Sequence, residues 1–175
     1  MADVVTMIGS VWSRLCGKKP AGRGGIQLAH QSGDDRLVRN LSGAEMDEAI
    51  QAARETLSVF WSWHQTRPDD RDSCGLKVRY PTDGNGAEYI WFIDILRTGD
   101  LVTGMVANEP ERIAGLEFWK PAVIDVDQIT DWTFRQDGLY YGHFTTRVLA
   151  TSHSGVAAKQ RSLSDSPLPT DLVRH

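Results

Sequence analysis

Hydrophobic and polar positions change their period partway along this chain. Between Ser42 and His64 the apolar residues Met46, Ile50, Ala53, Leu57 and Phe60 or Trp61 recur at helical spacing. Glu48, Arg54 and Glu55 fall on the other faces. Ser42 stands in N-cap position with Glu45 three residues on, a capping-box signature. Pro68 and the acidic "DDRD" end the run. The pattern predicts one long helix over 42–64. Trp61 and Trp63 cannot both face a core from such a helix, so one of them is expected to be partly exposed.

Beyond Pro68 the period becomes two. "GLKVRYP" (75–81) reads as a strand and "PTDGNG" (81–86) as a turn with an Asp-Gly signal. From Glu88 to Leu96 the chain alternates, with Tyr89, Trp91, Ile93 and Ile95 on one face and Ile90, Phe92, Asp94 and Leu96 on the other. "RTGD" (97–100) is a tight hairpin turn, and Leu101 to Asn108 is the returning strand. Gly104 inside it marks a bulge or a close backbone approach. "NEPERIAGLEFWKP" (108–121) is a connection with proline near each end. Ala122 to Val126 is a fourth strand, and "DWTF" (131–134) a further short one. "QDGLYYGH" (136–143) reads as a turn, and "FTTRVLAT" (144–151) fits helix or strand. The predicted fold is α+β: one long helix packed on a small, bent antiparallel sheet of four or five strands. Trp91 and Trp132 are large enough to anchor the core between helix and sheet.

The flanks read differently. Residues 1–41 form an N-terminal arm and a Gly/Pro-rich linker, 42–151 the domain, and 152–175 a flexible tail poor in large apolar groups. Met7, Val11, Trp12 and Leu15 fall on one helical face, the pattern of a short docking helix. Gly22, Gly24 and Gly25 are not a phosphate loop, because Gly17-Lys18 is followed by Lys19 and not by Ser or Thr.

Composition narrows the function classes. With 175 residues, 41% of them hydrophobic and 24% charged, the chain can build a core without staples. A net charge of −4 argues against a general nucleic-acid binder, and no nucleic-acid partner is expected. No apolar run approaches the roughly 20 residues of a membrane span. Asp3 stands where a signal peptide carries positive charge, so a cytoplasmic protein is expected. Cys16 and Cys74 form no CxxC pair and read as free thiols in a reducing compartment, with a single long-range disulfide as the minor alternative.

The ordered set "EAIQAARETLSVFW", "GLKVRYP", "EYIWFIDI", "GMVANEP", "ITDW" and "RVLA" resembles the bacterial domain of unknown function 2314, the YegJ-like family, over about residues 45–150. The resemblance implies a helix followed by a small, strongly bent antiparallel sheet. It carries no catalytic residues over. Tyr89 departs from the polar residue, often His, that the resemblance leads one to expect there.

Motif chemistry is sparse. His30, His64, His143, His153 and His175 are scattered, read as ordinary surface histidines, and imply no metal site and no cofactor. "DGNGAEYIWFID" begins like a calcium loop but puts Glu88 where the turn requires Gly. No Gly-x-Ser-x-Gly elbow is present, and His153 between Ser152 and Ser154 is not a triad. Cys74, read as lying in a loop, is a candidate reactive thiol without an evident base. The polar residues that remain are Glu88, Asn108, Glu109 and Asp131, with Trp91 among them. Pairing through "RTGD" brings Glu88 toward Asn108 and Glu109, the expected rim of a ligand or partner site. Asp131 is expected to cap a turn by accepting backbone N–H groups. No catalytic residue is assigned. The leading reading is a non-enzymatic binding or protein-interaction domain for another protein or a small ligand. The alternative is a hydrolase using Glu88, Glu109 or Asp131.

Overall fold

The structure is a computed structural model, and it describes residues 43–67, 69–70, 73–83, 86–151 and 168–169. The expected cap residue Ser42, the N-terminal arm with Cys16, and most of the C-terminal tail lie outside the described residues. Of that tail, Leu168 packs against the core and Pro169 is buried.

The described chain runs α1 (Gly43–Glu55), α2 (Leu57–Thr66), β1 (Cys74–Thr82), β2 (Gly86–Thr98), β3 (Leu101–Val106), β4 (Pro121–Val123), a 3-10 turn (Val126–Gln128), β5 (Ile129–Gln136), β6 (Leu139–Gly142) and α3 (Phe144–Thr151). The strands form one antiparallel sheet in the order β4-β3-β2-β1-β5-β6. The α+β class stands, but the sheet has six strands where four or five were expected. The added strand is β6. It returns through Asp137-Gly138, both at positive φ (52° and 82°), as a two-residue hairpin loop requires. The Asp-Gly signal was visible, but the four residues after it are too few to alternate legibly.

The expected single helix is two. At Thr56 the backbone leaves helical geometry, with φ −104° and ψ 7°. The Thr56 hydroxyl donates to the Ala52 carbonyl at 2.7 Å, and the Trp132 indole N–H donates to the Ala53 carbonyl at 2.9 Å. In an unbroken helix the Ala53 carbonyl would accept from residue 57. A side chain competing for it bends the helix at that turn.

Ala49, Ala53, Phe60 and Trp63 pack onto the sheet face built by Leu76, Val78, Ile90, Phe92, Val102, Val106, Trp132 and Phe134. Trp63 is fully buried while Trp61 is only partly so, the division expected of that pair. The Arg54 guanidinium donates to the carbonyls of Ile129 and Asp127 at 3.0 and 3.2 Å, which fixes α1 against the start of β5.

Strand parity breaks in β5, where Lys77 pairs with Asp131 but the next residue, Val78, with Ile129, and again in β2. Ile93 pairs with Met105 and Leu96 with Thr103, so three steps on β2 meet two on β3. This one-residue bulge has Asp94 at φ 49°. It turns Ile95 onto the face of Ile90 and Phe92, not onto the Trp91 and Ile93 face that alternation predicted. Gly104 lies against the bulge. A Cβ there would sit 2.9 Å from Ile95 Cδ1 and 3.1 Å from the Ile93 carbonyl oxygen, so the glycine serves a close approach. Trp132 anchors the core as expected. Trp91 does not: it is buried, but on the far face of the sheet, outside the core cluster.

Candidate functional site

The open end of the β2–β3 hairpin gathers three of the expected site residues, Glu88, Asn108 and Glu109. β3 stops at Val106, and Asn108 takes over its pairing with β2. Its Oδ1 accepts the Trp91 N–H at 2.6 Å, and its Nδ2 donates to the Tyr89 carbonyl at 3.4 Å. An amide side chain carries both groups of a peptide bond, so Asn can imitate one more residue of strand. The Glu88 carboxylate accepts the backbone N–H of Glu111 at 2.7 Å and of Arg112 at 2.9 Å, one on each oxygen. Glu109 is exposed on the same segment.

These contacts hold one end of the connection between β3 and β4. Its other end is tied by Trp119 N–H to the Val106 carbonyl and by Val106 N–H to the Lys120 carbonyl, at 2.9 and 3.0 Å. Between these ties the loop exposes Phe118 and Trp119 by about two fifths of their surface, 42% and 39%. Their ring centroids are 5.9 Å apart. Trp119 sits at φ 62°. A bulky residue in the left-handed region is strained, and such strain concentrates at functional positions. Leu101, Val123 and Val126 are also exposed, on or beside β3 and the edge strand β4.

Asp131 lies elsewhere, on β5, paired with Lys77 of β1. Its carboxylate is fully buried. Oδ1 accepts the N–H of Trp132 (2.8 Å) and Phe144 (3.1 Å), and Oδ2 accepts the N–H and the hydroxyl of Thr145 (2.9 and 2.6 Å). It therefore caps α3 from a neighbouring strand, a tertiary version of the expected turn-capping role. Burial pushes its carboxyl above the usual carboxylate range, against the Thr145 hydrogen bonds and the Lys77 charge, which act the other way.

His143 follows β6 at φ 54° and is buried. Burial, then the nearby charges of Arg147 and Lys77, hold its imidazole down to about 3. His64 is also buried, with Nε2 2.8 Å from the Ile95 carbonyl oxygen. Neither is the surface histidine that its sequence context suggested; the other three histidines lie outside the described residues. Cys74 opens β1 inside the core and not in a loop, which removes the accessible setting a reactive thiol needs. Among the described residues no three His, Cys, Asp or Glu side chains converge as metal ligands. None of their helices is long and apolar enough to cross a membrane.

The five expected site residues thus fall into two places. Glu88, Asn108 and Glu109 share the hairpin end, with the Trp91 backbone bound to Asn108, while Asp131 stands two strands away from Trp91 across β1. Sequence reasoning passed over Phe118, Trp119 and Lys77, and it read buried His143 as an ordinary surface histidine. An aromatic pair inside a loop between two prolines was the one available signal for Phe118 and Trp119. Lys77, a charged residue at an alternating strand position, looks solvent-facing in sequence.

Fold and site together define a single-sheet α+β domain in which the prominent carboxylates hold backbone in place and a tethered loop displays aromatic side chains. The chain belongs to DUF2314, described as an uncharacterized protein conserved in bacteria, whose family model matches residues 43–165. It is 31% identical over 111 residues to a Neisseria meningitidis serogroup B protein that carries an ankyrin-repeat name, covering 59% of this chain and 44% of that one. It is 24% identical over 108 residues to the uncharacterized protein YegJ of Escherichia coli K12, covering 62% of this chain and 69% of that protein. The chain therefore spans less than half the length of the Neisseria relative. No solved structure gives a significant match.

Proposed function

We propose that this domain is a non-enzymatic protein-interaction module of the bacterial cytoplasm, and that the β3–β4 loop with edge strand β4 is its contact surface. The observation that carries the reading is Trp119: an exposed indole on strained backbone, beside exposed Phe118, in a loop tied at both ends. Aromatic side chains on a pre-organised loop bury large area at small entropic cost, the property of interface anchors. Glu88 and Asn108 then act by shaping that loop, and Glu109 lies on its exposed rim. The ankyrin-repeat name of the Neisseria relative is compatible with a protein-binding context. The hydrolase alternative draws less support, because both oxygens of Glu88 and of Asp131 already accept hydrogen bonds from the protein's own N–H and O–H groups.

The test is site-specific photo-crosslinking in the source bacterium. A photoreactive phenylalanine analogue at position 119 should give a discrete adduct, absent when the probe replaces exposed Ser58 on α2. Adduct formation should fall when Phe118 is changed to Ala. Identical adduct patterns from positions 119 and 58 would defeat the proposal.

A further inference from the structure

Among the described residues six large apolar side chains are exposed, and five of them lie along one edge of the sheet. Leu101 starts β3, Phe118 and Trp119 stand in the β3–β4 loop, Val123 is on β4, and Val126 opens the 3-10 turn. The sixth, Leu139, is on the opposite edge strand β6. An open edge is often extended by a further strand, but β4 is poorly made for that. The Lys120 carbonyl accepts from Val106 and the Ile124 N–H donates to Val102, so these backbone groups face β3 and those of Pro121 and Val123 face outward. Pro121 has no N–H to give. Of the three strand residues Val123 therefore supplies the one outward N–H. What meets this edge meets it through side chains, as the apolar face of a helix does.

The border of the strip is acidic. In the segments 100–101 and 117–127 the exposed charges are Asp100, Glu117, Asp125 and Asp127 against Lys120, and the Arg54 guanidinium reaches the Asp127 carbonyl from α1. An apolar strip with such a border fits an apolar segment that carries basic residues.

The chain itself contains one, in the arm that lies outside the described residues. Met7, Val11, Trp12 and Leu15 recur at helical spacing, with Arg14, Lys18, Lys19 and Arg23 among and after them. Charge is divided accordingly. Residues 1–41 hold six of the 19 Lys and Arg and three of the 23 Asp and Glu, a net +3, so that the chain's −4 leaves −7 for residues 42–175. Length allows the contact. There are 28 residue steps between Leu15 and Gly43. At about 3.3 Å each they extend to ~90 Å, several times the roughly 13 Å radius of gyration of a domain this size. Covalent attachment also holds the segment at a far higher local concentration than a free partner has.

We propose that the strip along β4 is covered in cis by residues 4–19 of the same chain, with Trp12 and its apolar neighbours against Trp119, Phe118 and Val123, and Lys18 and Lys19 against the acidic border. The inference rests on the reading of this strip as a contact surface and adds its regulation: the arm and an outside partner exclude each other, and the partner binds by displacing the arm.

The purified full-length protein, carrying the photoreactive phenylalanine analogue at position 119, is irradiated, and cross-linked peptides from the monomer are mapped by mass spectrometry. Cross-links from position 119 to residues 4–19 are expected, with none from the same probe at position 139 on the opposite edge. Trp12→Ser should remove most of that cross-link, as should Lys18→Glu combined with Lys19→Glu, while the thermal melt of the domain stays unchanged. In the source bacterium, Trp12→Ser should raise the adduct between position 119 and other proteins. Absence of any cross-link to residues 4–19, an equal yield from position 139, or a yield indifferent to Trp12→Ser would overturn the proposal. Cross-links confined to dimers would assign the arm to a second copy and overturn the cis arrangement. A cellular adduct at position 119 without an arm cross-link would sink this inference and leave the contact-surface reading standing; arm cross-links without any cellular adduct would do the reverse.

Discussion

Changing Asp131 to Asn sets two effects against each other. The wild-type carboxylate accepts four hydrogen bonds, and burial makes its charge costly. Asn keeps the shape and one carbonyl oxygen. If that oxygen stays on Trp132 and Phe144, the new NH2 group faces Thr145. The Thr145 hydroxyl can rotate to accept, but the Thr145 N–H is left with a donor opposite it. An unsatisfied buried N–H costs about 1–3 kcal/mol. Against this, Asn carries no charge to desolvate, and a buried ion forfeits several kcal/mol that pairing only partly restores. Because Lys77 and four donors surround the carboxylate, the hydrogen bonds should win, and Asp131→Asn should destabilise by about 1–3 kcal/mol at neutral pH. Urea melts read the total, and amide exchange at Phe144 and Thr145 reads the α3 cap. The sign with pH is fixed by the direction of the shift. A carboxyl raised in the folded state contributes stability that is complete below its ordinary pKa and is lost as pH rises through the folded value. The advantage of wild type over the Asn variant should therefore narrow as pH rises. An Asn variant more stable than wild type at pH 7 would show that charge burial outweighs the cap, and the anchoring argument would fail.

Gly142→Ala should be the most disruptive small change, because at φ 79° its Cβ would collide with the Trp132 carbonyl oxygen and ring; loss of a cooperative melt, or a large drop in denaturant midpoint, is expected. Phe60→Ala empties a fully buried site and should cost about 3–5 kcal/mol, whereas half-buried Leu57→Ala should cost less, and a reversal of that order in urea would misplace the helix face. Glu88→Gln should leave global stability within about 1 kcal/mol while raising proteolytic nicking in the 108–120 loop, since the amide retains one acceptor for two N–H groups. His143, held near 3 against an ordinary 6.5, contributes stability that is complete above 6.5 and is lost as pH falls toward 3, an acid lability of about 4–5 kcal/mol. Asp131 opposes this above its ordinary pKa, so His143→Phe, which removes the imidazole alone, should flatten the acid limb of stability against pH; an unchanged limb would assign it elsewhere.

Helix, hairpin and turns were legible because each has a local cause. Met46, Ile50, Ala53 and Leu57 repeat at helical spacing, "RTGD" closes a two-residue loop, and Asp137-Gly138 supplies two positive φ angles. What was not legible depends on groups distant in sequence. The helix breaks at Thr56 partly because Trp132, far along the chain, takes the Ala53 carbonyl. The parity of Ile95 depends on a bulge whose room is made by Gly104 on another strand. The same holds for the polar residues. Glu88 and Asn108 were singled out because they are polar at a hairpin end, and that is where they are, but their atoms bind backbone that the sequence could not place. Trp119 and His143 were not legible for a different reason. Each is a non-glycine residue at positive φ, a conformation that local sequence disfavours and that only surrounding contacts hold. Backbone ties at residues 106, 119 and 120 hold the first, and the His143 N–H to the Trp132 carbonyl holds the second. Function in this domain is therefore sought where the fold overrules local preference, because contacts that maintain an unfavourable conformation are also the ones that fix a side chain for recognition.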